Sequence, residues 1–174
     1  MPDPEGLRTR RPCRGAAATL ARMAYDTAEA RQDMLDEIGA ATDQLGVALA
    51  ALGEAYELLD EHTGDVLEER LFGPVQHAYG RARRTHAEFS ARHGLPIRSF
   101  APGSPGPPSS GVKGFIDTAV RAVEAADGRI AALQDSMRPV DVGDAELRAG
   151  LSEVRRLVAD LPARARQIVR GVGR

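Results

Sequence analysis

From Ala17 to Leu59 the apolar positions of the chain repeat every seven residues in one register. Position a carries Ala17, Ala24, Arg31, Ile38, Leu45, Leu52 and Leu59, and position d carries Leu20, Thr27, Met34, Ala41, Ala48 and Ala55. Position e adds Ala28, Leu35, Leu49 and Tyr56. A seven-residue period belongs to an α-helix, because a strand repeats every two residues. The a/d/e stripe is wide enough to face more than one neighbour, which predicts a bundle rather than a two-stranded seam. One helix is predicted from about Ala16 to Asp60, roughly 65 Å long at 1.5 Å per residue. Its stripe weakens before Ile38, where Thr27 and Arg31 interrupt it.

Gly39, Gly46 and Gly53 occupy position b of this register, each directly after a large aliphatic residue. A glycine inside a helix costs about 1 kcal/mol against alanine, so three at one heptad position ask for a compensating contact. One reading is ordinary small-residue packing inside the bundle. The other is a shallow flank where a partner helix comes close. With Leu49 and Tyr56 at the neighbouring e position, the candidate partner-contact residues are Gly39, Gly46, Gly53, Leu49 and Tyr56.

Beyond this helix the chain reads as a second helical segment from Asp65 to His93 and a long loop, Leu95–Gly111. A third helix follows near Val112–Met137, then a fourth capped by Asp141 or Asp144. Asp65 with Glu68 three residues on has the form of a capping box, and Gly94 followed by Pro96 has the form of a helix stop. Pro74 and Pro162 fall inside the second and fourth apolar patterns and predict a kink or break at each. The five prolines and interspersed glycines of Leu95–Gly111 predict a flexible linker without regular structure. Its length is enough to cross the bundle from end to end.

The expected fold is therefore all-α, an up-down bundle of four main helices. Two helical hairpins are joined by the Pro/Gly-rich linker, and the first helix is extra long or broken near Gly39. Residues 1–15 read as a disordered tail, and 16–174 as a single helical-bundle domain with the flexible linker 95–111. The segment Met34–Asp60 alone matches the other helices in length. Ala16–Asp33 then overhangs the bundle, bends away, or forms a helix of its own.

Several chemistries are argued against. The single cysteine, Cys13, lies in the Pro-rich tail, so a disulfide within the chain and a cysteine-based zinc cluster are excluded. His62, His77, His86 and His93 read as surface or boundary residues. None has a carboxylate three residues before it, as a di-iron bundle would require. The Gly-rich stretch before Lys113 lacks phosphate-loop spacing and a preceding strand, and no nucleophile elbow is present. No cofactor and no metal are expected. No run approaches a membrane span, and no hydrophobic segment follows the N-terminal arginines as in a signal peptide. The expected location is the cytoplasm.

Net charge is −2, but it is unevenly distributed. Ala16–Asp60 carries nine carboxylates against two arginines, while Arg81, Arg83 and Arg84 cluster in the second helix and Arg164, Arg166 and Arg170 near the C-terminus. These six arginines are the candidate contacts for an anionic partner. A nucleic-acid surface would be expected to interleave aromatics with them, and both clusters lack aromatics. With Lys113 as the one lysine, the basic composition fits a GC-rich bacterial genome. In general character the chain is similar to small all-helical actinobacterial proteins. It lacks the Trp-x-Gly turn of the short secreted helical hairpins.

The first functional expectation is a non-enzymatic helical adaptor or self-assembling interaction module, with a protein partner or a second copy. The alternative is a regulator that binds DNA or an anionic surface through the arginines. A third is a small-ligand or metal-binding bundle whose proline kinks open a cavity.

Overall fold

The computed structural model describes residues 14–172; the expectations for residues 1–13, Cys13 among them, lie outside these, while Arg14 and Gly15 of the expected tail begin the first helix. The first helix, α1 (Arg14–Glu57), is unbroken, with no interruption at Gly39. Three residues separate it from α2 (Glu61–Leu67). The cap of α2 is Asp60 rather than Asp65: an Asp60 carboxylate oxygen accepts the Thr63 backbone N–H at 3.0 Å, and the other accepts its hydroxyl at 2.8 Å. These bonds hold the Asp60 carboxyl below its ordinary pKa. Asp65 is an exposed residue one turn inside α2. The resemblance to a capping box at Asp65/Glu68 is a coincidence of spacing.

Pro74 distorts the helix immediately before it. A proline has no N–H and clashes with the carbonyl four residues back. The chain accommodates it by widening one turn, Glu68–Phe72, into a π-helix in which the Gly73 N–H reaches the Glu68 carbonyl five residues back. Helix α3 (Gly73–His93) then continues to Gly94, which takes the left-handed conformation at φ 65° and stops it. Residues 95–110 form a crossing strap that ends in a short 3₁₀ turn, Pro108–Ser110. After it come α4 (Gly111–Asp135), the single turn α5 (Arg138–Asp141), α6 (Ala145–Val158) and α7 (Leu161–Val172). Pro162 does more than bend the last helix: it starts α7 after a two-residue interruption at Ala159–Asp160.

Ion pairs and caps fix the directions. Arg129 near the end of α4 meets Glu37 near the middle of α1 at 3.1 Å, and Arg138 just after α4 lies 3.9 Å from Asp33, one turn earlier in α1, so α4 runs antiparallel to α1. Asp144 at the start of α6 meets Arg92 at the end of α3, while Arg70 just before α3 meets Gln167 in α7. The helices therefore run up, down, down, up, and the strap carries the chain from the end of α3 back to the far end of the bundle. The most extensive packing is across hairpins, α1 on α4 and α3 on α6. Buried alanines line both members of the first pair: Ala41, Ala48 and Ala55 on α1, and Ala119, Ala122 and Ala126 on α4. The a and d positions from Met34 to Ala55 are all buried, as the register predicts.

Asp144 joins three functions at one corner. One of its oxygens accepts the Leu147 N–H at 2.8 Å and caps α6. The Arg92 guanidinium grips both oxygens at 2.8 and 2.9 Å, and His93 approaches at 3.2 Å. Burial alone would raise the Asp144 pKa, but the bonds from Arg92, Leu147 and His93 outweigh it and hold the carboxyl below the ordinary 3.8. A folded-state pKa below the unfolded one stabilises the fold above the ordinary carboxylate range and loses that effect as pH falls through it. Asp144→Ala is expected to lower stability by about 1–2 kcal/mol at pH 7. The gap to wild type should narrow below about pH 4, which thermal unfolding across pH would read.

Candidate functional site

The three glycines of α1 meet three different surroundings. Over Gly39 lies the Arg98 guanidinium of the strap, so close that a Cβ there would stand 2.5 Å from one of its nitrogens. Arg98 is fixed by Asp43 of α1 at 2.6 Å and stacks over Phe100, its guanidinium carbon 5.0 Å from the ring centre. Over Gly46 lie the Tyr79 ring and the strap backbone at Ala101 and Gly103. Gly103 itself is packed backbone to backbone on α1, and a Cβ on it would run into the Val47 nitrogen and stand 2.5 Å from the Gly46 carbonyl carbon. Gly53 faces open space.

The close approach at Gly39 and Gly46 is thus made by the chain's own strap. Gly39 and Gly46 are buried, Leu49 is half-buried against the core, and Tyr56 is 39% exposed with its ring against Gly64 of α2. Of the five residues singled out on this flank, Gly53 and Tyr56 remain at the surface.

Between Arg22 and Ala30, α1 makes no ion pair or side-chain hydrogen bond to another helix among the described residues. Anchors to the bundle follow at the Arg31 guanidinium, which donates to the Val142 carbonyl at 2.9 Å, and at Asp33 beside Arg138. From Arg22 to Glu29 every residue except Thr27 is exposed, with Met23 at 61% and Tyr25 at 71%. The register still holds there: Ala24 at a, Thr27 at d and Ala28 at e continue the core-facing stripe beyond the end of the core.

The arginines divide. Arg81 is engaged by Glu153 of α6 at 2.8 Å, and Arg83 stacks over the Tyr79 ring. Arg83 and Arg84 line a surface groove of about 350 Å³ with Arg98, Ile97 and Phe100 of the strap. Arg164 lies 3.8 Å from Asp160, while Arg166 and Arg170 border a groove of about 270 Å³ between α4 and α7 with Lys113 and Asp117. The carboxylates of α1 pair with Arg98, Arg129 and Arg138 rather than with either cluster.

His62 and His77 are exposed, and His93 serves Asp144. His86 departs from the expected surface or boundary position: it is 3% exposed, beneath the strap, with the Phe100 ring edge-on at a centroid distance of 5.3 Å. Among the described residues no group of three or more His, Cys, Asp or Glu side chains is placed to hold a metal, and no helix is long and apolar enough to cross a membrane. The apolar cleft beside the π-turn and Pro162, lined by Leu52, Leu71, Ile116 and Leu161, holds about 10 Å³, room for one water at most.

Sequence reasoning did not find Gly103, Gly150 or His86. Gly150 lies where α6 meets Thr85 of α3, and its place beside Leu151 on the fourth apolar stripe was the available signal. Nothing in the Pro/Gly composition of the strap distinguishes Gly103 from Gly106.

These features define an all-α four-helix bundle with a crossover strap and one overhanging helix. No protein-family model, curated protein or solved structure matches the chain.

Proposed function

We propose that the protein is a non-enzymatic helical adaptor that assembles with a second copy of itself through the N-terminal part of α1. The observation that carries this is the stripe at Ala24, Thr27 and Ala28, which continues the core-facing register past the bundle with Met23 exposed on its flank. Arg14–Ala30 amounts to about 25 Å of helix. An isolated helix of that length is marginal in water, and most helical stability in proteins comes from packing an apolar face. A second copy supplies such a face, and two-fold pairing is the commonest way identical chains associate.

Backbone amide exchange over residues 22–30 tests this. Protection is expected to increase between roughly 1 µM and 200 µM protein while the amides of residues 38–55 stay unchanged. Exchange at 22–30 independent of concentration would contradict self-association.

A second reading, an anionic partner, is favoured by the groove bordered by Arg83, Arg84 and Arg98. It predicts retention on heparin that weakens steeply with salt and is reduced by Arg83→Ala and Arg84→Ala. Retention that these variants leave unchanged, or no retention in low salt, removes it.

A further inference from the structure

The strap and the helix beneath it meet at an unusual pair of groups. His86 is buried, its Nδ1 has no hydrogen-bond partner, and the Phe100 ring of the strap stands edge-on to the imidazole. Each surrounding element contributes identifiable charges. The strap brings Arg98, held by Asp43 of α1. α1 also brings Asp36, whose carboxylate favours the imidazolium. On α3 itself Arg83 is drawn over Tyr79, and α6 meets this part of α3 at Gly150 against Thr85, its Glu153 engaged by Arg81. No carboxylate of the described residues is in hydrogen-bond contact with the His86 ring.

We propose that the strap 95–110 is a pH-sensitive latch over the glycine flank of α1, and that protonation of His86 releases it. With the strap seated, the added proton creates a buried cation with an unpaired N–H beside the Arg98 guanidinium. An unpaired buried charge is strongly disfavoured. With the strap lifted, water reaches the ring and Arg98 moves away. Release uncovers Gly39 and Gly46, the stretch of α1 where the strap backbone comes closest.

The direction of the His86 pKa agrees: burial first, then Arg98, push it below the ordinary 6.5, with Asp36 opposing. A folded-state pKa below the released-state value makes seating complete above pH 6.5 and progressively weaker as pH falls below it. One proton over this range changes the released-to-seated ratio by about tenfold between pH 7.5 and pH 5.5. The latch is independent of the proposed pairing of α1, and each stands or falls on its own measurement.

The test is amide exchange of the strap in the full chain at pH 7.5 and pH 5.5, corrected for the intrinsic pH dependence of exchange. The opening constant for residues 98–104 is expected to rise about tenfold at the lower pH in wild type and to stay level in His86→Gln. No rise in wild type, or an equal rise in His86→Gln, overturns the proposal. The wild-type His86 ring resonance provides a second reading that needs no variant. A midpoint below 6.5 that coincides with shifts in the strap amides supports the latch, and a midpoint at or above 6.5 overturns it.

Discussion

Gly150→Val is expected to destabilise the protein by about 3 kcal/mol, which for a chain of this size is a fall in melting temperature of roughly 10 °C. The cause is local. A Cβ on Gly150 would overlap the Thr85 hydroxyl and stand 2.8 Å from the Thr85 methyl, where α6 meets α3. Thr85 is 3% exposed and β-branched, so its χ1 has few alternatives inside a helix. The helices must separate, and α3 on α6 is one of the two principal interfaces. The Thr85 hydroxyl is itself buried without a partner, which gives the prediction a second arm. Thr85→Ala removes the unsatisfied hydroxyl and the methyl, and leaves only the Cβ, 3.1 Å from the new methyl group. In that background Gly150→Ala should cost far less than it does alone, with up to about 1 kcal/mol of helix propensity offsetting the remaining tight contact. Thermal unfolding of the four combinations reads this coupling. Additive effects would show that the two residues do not meet as described.

The second large effect is confined to the strap. Gly103→Ala places a methyl group against the backbone of Gly46 and Val47, where no side chain can turn aside. Lifting the strap is the available relief. The cost of about 2–3 kcal/mol corresponds to a rise in the strap-open population of roughly 30- to 150-fold. Tryptic cleavage after Arg98 at limiting protease reads that population directly. The fall in melting temperature is capped by the free energy that seats the strap, because lifting it relieves the clash while Ile38, Leu45 and Leu52 of the α1 core stripe lie at different heptad positions. Ser104→Ala, at an exposed strap position, serves as the control and should cleave like wild type. Unchanged cleavage in Gly103→Ala would mean that the strap does not rest on α1 at this point.

Parts of this structure were legible in the sequence because they follow a period. The register of α1 placed Met34, Ile38, Ala41, Leu45, Ala48, Leu52 and Ala55 in the core, and all are there. Asp144, one of the two caps proposed for the fourth helix, is the cap of α6. Proline positions were informative about where helices are disturbed but not how. Pro74 is absorbed by a widened turn and Pro162 follows a true break. Length alone left an overhang, a bend or a separate helix open for Ala16–Asp33, and α1 is one continuous helix longer than the others described.

What composition concealed is the strap. Its prolines and glycines say that it is neither helix nor strand, and its seat on α1 depends on aperiodic contacts: Arg98 with Asp43, Phe100 with His86, Gly103 with Gly46. The glycine ladder was therefore informative about close approach and silent about what approaches. Gly39 and Gly46 receive the strap, and Gly53, in the same heptad position, receives nothing. The candidate interaction surface accordingly moves from that flank to the end of α1 around Met23, Ala24 and Ala28.

The mass of the protein in solution tests that claim most directly. Light scattering on the full chain at concentrations up to roughly 200 µM should give a mass that rises from 18.6 kDa toward twice that value as pairing fills by mass action. Met23→Glu with Ala28→Glu, both at exposed positions, should return the mass to 18.6 kDa with the melting temperature of the dilute wild-type monomer unchanged. A wild-type mass of 18.6 kDa at every concentration, or a dimer that the double variant leaves intact, would contradict it.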